Sequence, residues 1–197
     1  MDEIDIANLE EGELEEAAEL ASRAFIPTPL VKAVMNGDGE KQRKGLQKGM
    51  KRLLGHATGN VLIARQKTRL AGVMRMVTWP DCQKAAMPLF VVPFAFLAMG
   101  RAAINVYKFR KTWGMYDPKQ PHWHLDPLCV LPDLQGQGIG SALLMRFCKL
   151  VDEQKMDAYL ETDQPGNVRL YERFGFKVKE TQPVLGVPNW FMWRTAR

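Results

Sequence analysis

Apolar residues recur along this chain with two periods, about 3.6 and 2, and the switches between them outline its elements. Over residues 13–25, Leu14, Ala17, Ala18, Ala21 and Phe25 fall on one helical stripe. Pro27 and Pro29 stop that helix, and a second helical stretch begins near Leu30. Leu46, Met50, Leu53 and Leu54 mark the dry face of another helix, whose wet face carries Lys41, Arg43, Lys44, Lys48, Lys51 and Arg52. Residues 60–65 and 70–78 read as two strands joined by the polar turn Gln66-Lys67-Thr68-Arg69, with Pro80 closing the second. Residues 86–120 read as an inserted helical region. Residues 123–131 form a strand that runs through a glycine-rich turn into a helix faced by Ile139, Leu143, Leu144, Phe147 and Val151. A strand at 156–161, a short helix at 167–174 stopped by Gly175, and an antiparallel pair at 176–184 and 190–194 around a turn at 185–189 close the chain. The order predicts an α/β architecture, an α+β mixed sheet with helices on its faces. With no repeat and no low-complexity linker, 1–197 is expected to form a single domain.

Composition narrows the classes of function. The chain has 197 residues with 27 Lys+Arg against 22 Asp+Glu, a formal net charge of +5. That excess favours an anionic ligand without requiring one. It is no nucleic-acid signature, because no basic run is interleaved with stacking aromatics. The cysteines, Cys82, Cys129 and Cys148, are odd in number and have no CxxC spacing, which fits a reducing compartment better than a disulfide framework. The start Met1-Asp2-Glu3-Ile4-Asp5 has no apolar h-region. The most apolar segment, residues 87–100, is too short to span a bilayer and is broken by Pro88 and Pro93. A cytoplasmic location, no membrane contact, no nucleic acid and no metal are therefore expected. His122 and His124 give no ligand spacing with a third residue.

The segment Leu134-Gln135-Gly136-Gln137-Gly138-Ile139-Gly140-Ser141 carries the clearest chemistry. It follows an apolar strand and opens an amphipathic helix. Glycines on alternate positions allow positive φ and leave no Cβ in the way of a ligand. Successive N–H groups then point into one concavity at a helix N-terminus, a ready pyrophosphate site. The turn lacks the Gly-Lys-Ser/Thr of a Walker A loop, and the spacing of its glycines is not that of a dinucleotide fingerprint.

In this setting Gln135, Gly138 and Gly140 resemble the Gln-x-x-Gly-x-Gly loop that binds coenzyme A pyrophosphate in GNAT acetyltransferases. A second block, Asn167-Val168-Arg169-Leu170-Tyr171-Glu172-Arg173-Phe174-Gly175-Phe176, resembles that family's Asn-x-x-x-Tyr-x-x-x-Gly-Phe hallmark. The resemblance runs from about His122 to the C-terminus. The phrases around Trp123, Gln135 and Tyr171, with the Trp190 strand, look most like the branch containing puromycin N-acetyltransferase. It implies one acyl-coenzyme A N-acyltransferase domain with a splayed central sheet, and acetyl-CoA as the acyl donor.

The resemblance also implies roles. Backbone amides of Gln135, Gly136, Gln137, Gly138, Ile139, Gly140 and Ser141 would hold the pyrophosphate, and the strand backbone at Cys129 and Val130 the pantetheine arm. Asn167 would bond that arm, Tyr171 would protonate the leaving sulfur, and Arg173 would meet the phosphates. Asn167 and Tyr171, four residues apart, share one helix face. Pro127 removes a ladder donor from its strand, as a bulge or a splay requires. Glu161 is the first choice of general base, with His124 and Asp126 as alternatives on the neighbouring strand. Phe90, Phe94, Phe96, Tyr107, Trp113 and Tyr116 give residues 86–120 an aromatic surface that suits a substrate pocket, core packing or a homodimer interface equally. The leading expectation is direct acetyl transfer to a small-molecule amine in a ternary complex. A peptide or protein N-acetyltransferase and a non-catalytic acyl-CoA-binding protein are the alternatives.

Overall fold

The structure, a computed structural model, describes residues 3–83 and 100–197. Seven strands form one sheet in the order β1-β2-β3-β4-β5-β7-β6. They are β1 (Ile4–Asn8), β2 (Asn60–Gln66), β3 (Arg69–Thr78), β4 (Trp123–Val130), β5 (Ala158–Thr162), β6 (Lys177–Val184) and β7 (Val187–Arg194). The described helices are α1 (Leu14–Phe25), α2 (Pro29–Met35), α3 (Glu40–Leu54), α4 (Arg101–Tyr116), α5 (Ile139–Glu153) and α6 (Pro165–Arg173). Among the described residues no helix is long and apolar enough to cross a membrane. Of the region expected at 86–120, residues 100–120 are described and contain α4; Phe90, Phe94 and Phe96 lie outside the described residues.

Helices cover both faces, as the apolar stripes require. On one face, Leu143, Leu144 and Phe147 of α5 pack with Met74, Met76 and Leu160 of the sheet. On the other, Ala17, Leu20 and Ala21 of α1 meet Ile63, Val73 and Cys129. A third cluster joins Leu30 of α2 and Trp113 of α4 to Tyr159, Phe191 and Trp193 at the β5–β7 end. Asp163, just beyond β5, accepts the Leu30 N–H at 2.9 Å, supplying one of the partners that a helix N-terminus lacks.

β4 is where the regular pattern breaks. Against β3, Met74 faces Leu128 and Met76 faces Leu125, so Asp126 and Pro127 together oppose the single residue Arg75. This bulge shifts the parity of the strand. Before it, Trp123 and Leu125 join the α5 core; after it, Leu128 and Val130 do, while Cys129 and Leu131 face α1. On its other edge β4 pairs with β5 in parallel only at Trp123–Ala158 and His124–Tyr159. β4 continues to Val130 and β5 to Thr162 with no pair between them, so the expected splay is present.

Two sequence expectations change. β1 carries only two alternating isoleucines, too short a signal to be read as a strand. The turn expected at 185–189 is the two-residue turn Leu185-Gly186, both at positive φ (52° and 81°), the backbone that right-twisted hairpins favour. Pro188 looked like a turn residue but sits in β7 opposite Pro183, where β5 does not reach.

The C-terminus is fastened by Arg194, 3% exposed, which donates to both Asp152 oxygens at 2.9 and 2.7 Å. Replacing Asp152 by Ala leaves a buried guanidinium without its carboxylate, and a loss of about 3 kcal/mol is expected at neutral pH in urea unfolding. Arg194 holds the Asp152 carboxyl below its ordinary range. The pair's contribution is therefore present above an unfolded-state pKa of about 4 and fades as pH falls through the lower folded value. Wild type and variant should converge in acid; a gap unchanged at low pH would remove the ion pair as its cause.

Candidate active site

The splay has a donor loop on one side and a buried polar cluster on the other. On the α5 side the chain leaves β4, makes the turn Pro132–Leu134 and enters α5 through the glycines. Gly136 and Gly138 have φ of +78° and +88°, and a Cβ built on either meets nothing within 4 Å. Gly140 departs from the expectation: its φ is not positive, and a Cβ there would make only an ordinary contact with Val130 Cγ2 at 3.7 Å. None of the N–H groups of Gly136, Gln137, Gly138, Ile139, Gly140 or Ser141 donates to a backbone carbonyl. These donors, with the α5 dipole behind them, form an anion cradle with open space above it. Ile139 contributes only its N–H, because its side chain is buried in the core. Gln135 Nε2 donates to the Val130 carbonyl at 3.2 Å, and Gln137 Oε1 accepts from Gln66 at 2.9 Å, which ties the loop to β4 and β2.

α6 lines the same side. Asn167 and Tyr171 lie one turn apart, and Gly175 at φ +90° ends the helix. Tyr171 is 4% exposed and packs edge-on against Phe176. Burial raises its pKa, and the nearby Cys129 and Asp163 add to the rise, so the phenol stays protonated throughout the physiological range. Arg173 lines a groove of about 610 Å³ along the outside of α6 with Gly166, Arg169 and Glu172. Cys129 is buried, and burial pushes its thiol up to about 12.

On the opposite face, His124 and Glu161 are joined: Nε2 lies 2.8 Å from Oε2, and both side chains are 1% exposed. Asp117 Oδ1 stands 3.7 Å from His124 Nδ1. Tyr159 packs against His124 with ring centroids 5.1 Å apart. His122 Nδ1 lies 2.7 Å from the Gln120 carbonyl, so it carries the proton there and leaves Nε2 facing Cys82 Sγ at 3.5 Å. The thiol of Cys82 is lowered: burial opposes ionisation, but His122 and His124 more than offset it. A cleft of about 260 Å³ opens on this cluster, lined among others by Arg75, Asp81, Cys82, Arg110, His124 and Asp126. Glu161 stands behind His124, away from that lining.

Sequence reasoning treated His124, Asp126 and Glu161 as rival bases. The parallel register of β4 and β5 makes His124 and Glu161 partners. It missed Asp117, Cys82 and Arg75, which come from separate elements and have no sequence spacing to reveal them. Cys82, His122 and His124 bring one ligand atom each within 4.8 Å of one another, as do Asp117, His124 and Glu161. Both sets share His124, whose Nε2 is already engaged by Glu161.

A splayed mixed sheet with an open-amide loop at the head of the following helix is the arrangement that the GNAT resemblance implied. The model of the acetyltransferase (GNAT) family matches residues 39–176, and the chain belongs to that family. Acetyl-CoA is the cosubstrate of these enzymes. The fold is similar to that of a histone acetyltransferase HPA2 and related acetyltransferase from Corynebacterium glutamicum (20% identity, 100% of this chain and 98% of that one, TM-score 0.73). It is similar to mosquito arylalkylamine N-acetyltransferase like 5b (15% identity, 98% and 100% covered, TM-score 0.64). A GNAT acetyltransferase from Brucella melitensis, solved with acetyl-CoA, is also similar (16% identity, 99% and 89% covered, TM-score 0.56). At these identities the likeness is one of fold.

If the open amides receive the pyrophosphate, acetyl-CoA should raise the melting temperature of the wild type by mass action. Gly138→Val places a β-branched residue at a φ of +88°, at a cost of about 1–3 kcal/mol, and fills the space over the amides. The folded variant should lose the ligand-induced rise. An undiminished rise would show that the phosphates bind elsewhere.

Proposed function

We propose that the protein, as one domain over 1–197, transfers an acetyl group directly to the amine of a small molecule. The observation that carries this reading is the pairing of His124 with Glu161 at the splay, facing a cleft opposite the anion cradle. Acetyl-CoA supplies the thioester electrophile and leaves as the free thiol. Amides of Gly136 to Ser141 bind the diphosphate. Unpaired backbone of β4 around Cys129 and Val130, with Asn167, holds the arm in the gap between the strands.

The acceptor amine enters from the cleft. His124 takes the proton that the ammonium must lose, and the Glu161 carboxylate behind it stabilises the resulting imidazolium. Glu161 thus acts through His124, and Asp117 adds negative charge beside the other ring nitrogen. As the amine nitrogen bonds to the carbonyl carbon and the C–S bond breaks, Tyr171, kept protonated by burial, delivers its proton to the departing sulfur. The second proton that the nitrogen sheds on becoming an amide passes to solvent, from which the phenol is restored. By the resemblance, Arg173 meets the donor's phosphates, and Arg169 lines the same groove. The sequence phrases around Trp123, Gln135 and Tyr171 support a place in the branch containing puromycin N-acetyltransferase. The cleft's small volume favours a metabolite over a peptide. A panel of amines and peptides, followed through amine-dependent release of free thiol, tests this: release with peptides alone would reverse the assignment.

Tyr171→Phe keeps the ring and its packing against Phe176. Stability and acetyl-CoA binding should change little, while kcat falls on the order of 10²–10⁴-fold. Wild-type turnover in this variant would make the phenol a packing residue.

Cys82 is the rival nucleophile, since its thiol is lowered and paired with His122. Direct transfer needs no acyl-enzyme, so Cys82→Ser should retain turnover with sequential kinetics. Ping-pong kinetics with a trapped acetyl group on Cys82 would replace this mechanism by a two-step one.

A further inference from the structure

The acceptor cleft holds a cation that the transfer chemistry leaves unused. Arg75 lies on β3 opposite the Asp126–Pro127 bulge, is 6% exposed, and lines the same cleft as His124 and Asp126. A guanidinium offers five N–H donors in a planar fork. Here Nη1 makes one long bond to the Asp126 backbone carbonyl at 3.4 Å, and the buried Nε has no hydrogen-bond partner. Burial pushes its pKa down, and the charge of Asp126 restores only part of that. A buried guanidinium most of whose donors are unbonded is unfavourable, and a ligand that brings acceptor oxygens relieves that cost.

The surroundings keep the fork in place. A Cβ on Gly59 would lie 2.4 Å from Arg75 Nε and 2.8 Å from Cζ, so any other residue at 59 displaces the guanidinium. Arg110 lines the cleft as a second cation, while Asp81 and Asp126 line it as anions. A lining with both signs suits a ligand with both signs.

We infer that the acceptor is a zwitterion, an amine bearing a carboxylate, with Arg75 receiving the carboxylate while the amine faces His124. The inference rests on the small-molecule reading above. A planar carboxylate matches the fork of a guanidinium. His124 and Asp126 are two residues apart on one strand, about 7 Å by strand rise, and Arg75 meets the backbone at Asp126. The two positions are thus close enough for one small zwitterion to span, with a hydrogen bond at each end.

The test uses matched pairs that differ only in the carboxylate: tyrosine and tyramine, phenylalanine and phenethylamine, arginine and agmatine, lysine and cadaverine. Binding is read as the thermal shift each compound adds to the coenzyme A complex, and turnover as kcat/KM from thiol release. In at least one pair the carboxylate-bearing member should win by about tenfold or more, as for a charged hydrogen bond. Arg75→Gln should bring that ratio near unity, and Arg75→Lys should keep part of it. Gly59→Ala, which retains the charge but moves it, should also narrow the ratio. Each variant's coenzyme A-induced shift reports that it is folded. Equal members of every pair, a preference for the carboxylate-free member, a ratio that survives Arg75→Gln, or no shift with any carboxylate-bearing amine overturns the inference. A carboxylate-dependent shift without thiol release would uphold the anion site and refute the transferase reading. Thiol release from carboxylate-free amines alone would do the reverse.

Discussion

Two strand pairs, Trp123 with Ala158 and His124 with Tyr159, hold β4 to β5, and the site depends on the ladder ending there. A continuous parallel ladder would have sealed the centre of the sheet. Pro127 has no N–H to offer, and the bulge it shares with Asp126 turns the strand's side chains over. The same break opens a gap in the middle of the sheet, leaves backbone groups along its edges, and presents Asp126 and Arg75 to the cleft beside His124. Cohesion comes from elsewhere: α5 and α1 clamp β3 and β4 from opposite faces, and β7 holds β5 along its length.

The two faces of that gap have different electrostatics. The cradle before α5 is built from backbone amides, fixed partial positive charges that no protonation can remove. The other side is built from titratable side chains buried close together, His124, Glu161 and Asp117. A fixed cradle suits an anionic handle that only has to be held, whereas a coupled cluster suits a proton that has to move. Tyr171 sits with the cradle side, and burial keeps its phenol a donor. On the proposed mechanism, the division would place proton removal and proton return on opposite sides of the bond that forms.

Much of this was legible in the residues. The helix stripes, the β2–β3 hairpin and the glycine turn after β4 each have a local period or a local backbone demand, and each is found where expected. Gly138 and Gly175 are needed for their positive φ, which a sequence can announce. Gly140 shows the limit, since its place in the motif matches while its φ is not positive. β1 was too short to read, and the Leu185-Gly186 turn was masked by Pro188, whose tolerance depends on β5 stopping short of it. The His124 side was legible only in part. His124, Glu161 and Asp126 stood out singly, but their pairing is a matter of register between strands separated by a helix. Arg75 reads as an ordinary strand residue until the bulge across from it is known.

Amide hydrogen exchange, with and without acetyl-CoA, tests the central claim most directly, because it observes both walls of the gap at once. The account predicts that the ligand slows exchange together at residues 136–141 and along residues 125–130 of β4, the strand edge that β5 leaves unpaired. Protection confined to other segments, or protection of the loop with none along β4, would contradict a cosubstrate held in the splay.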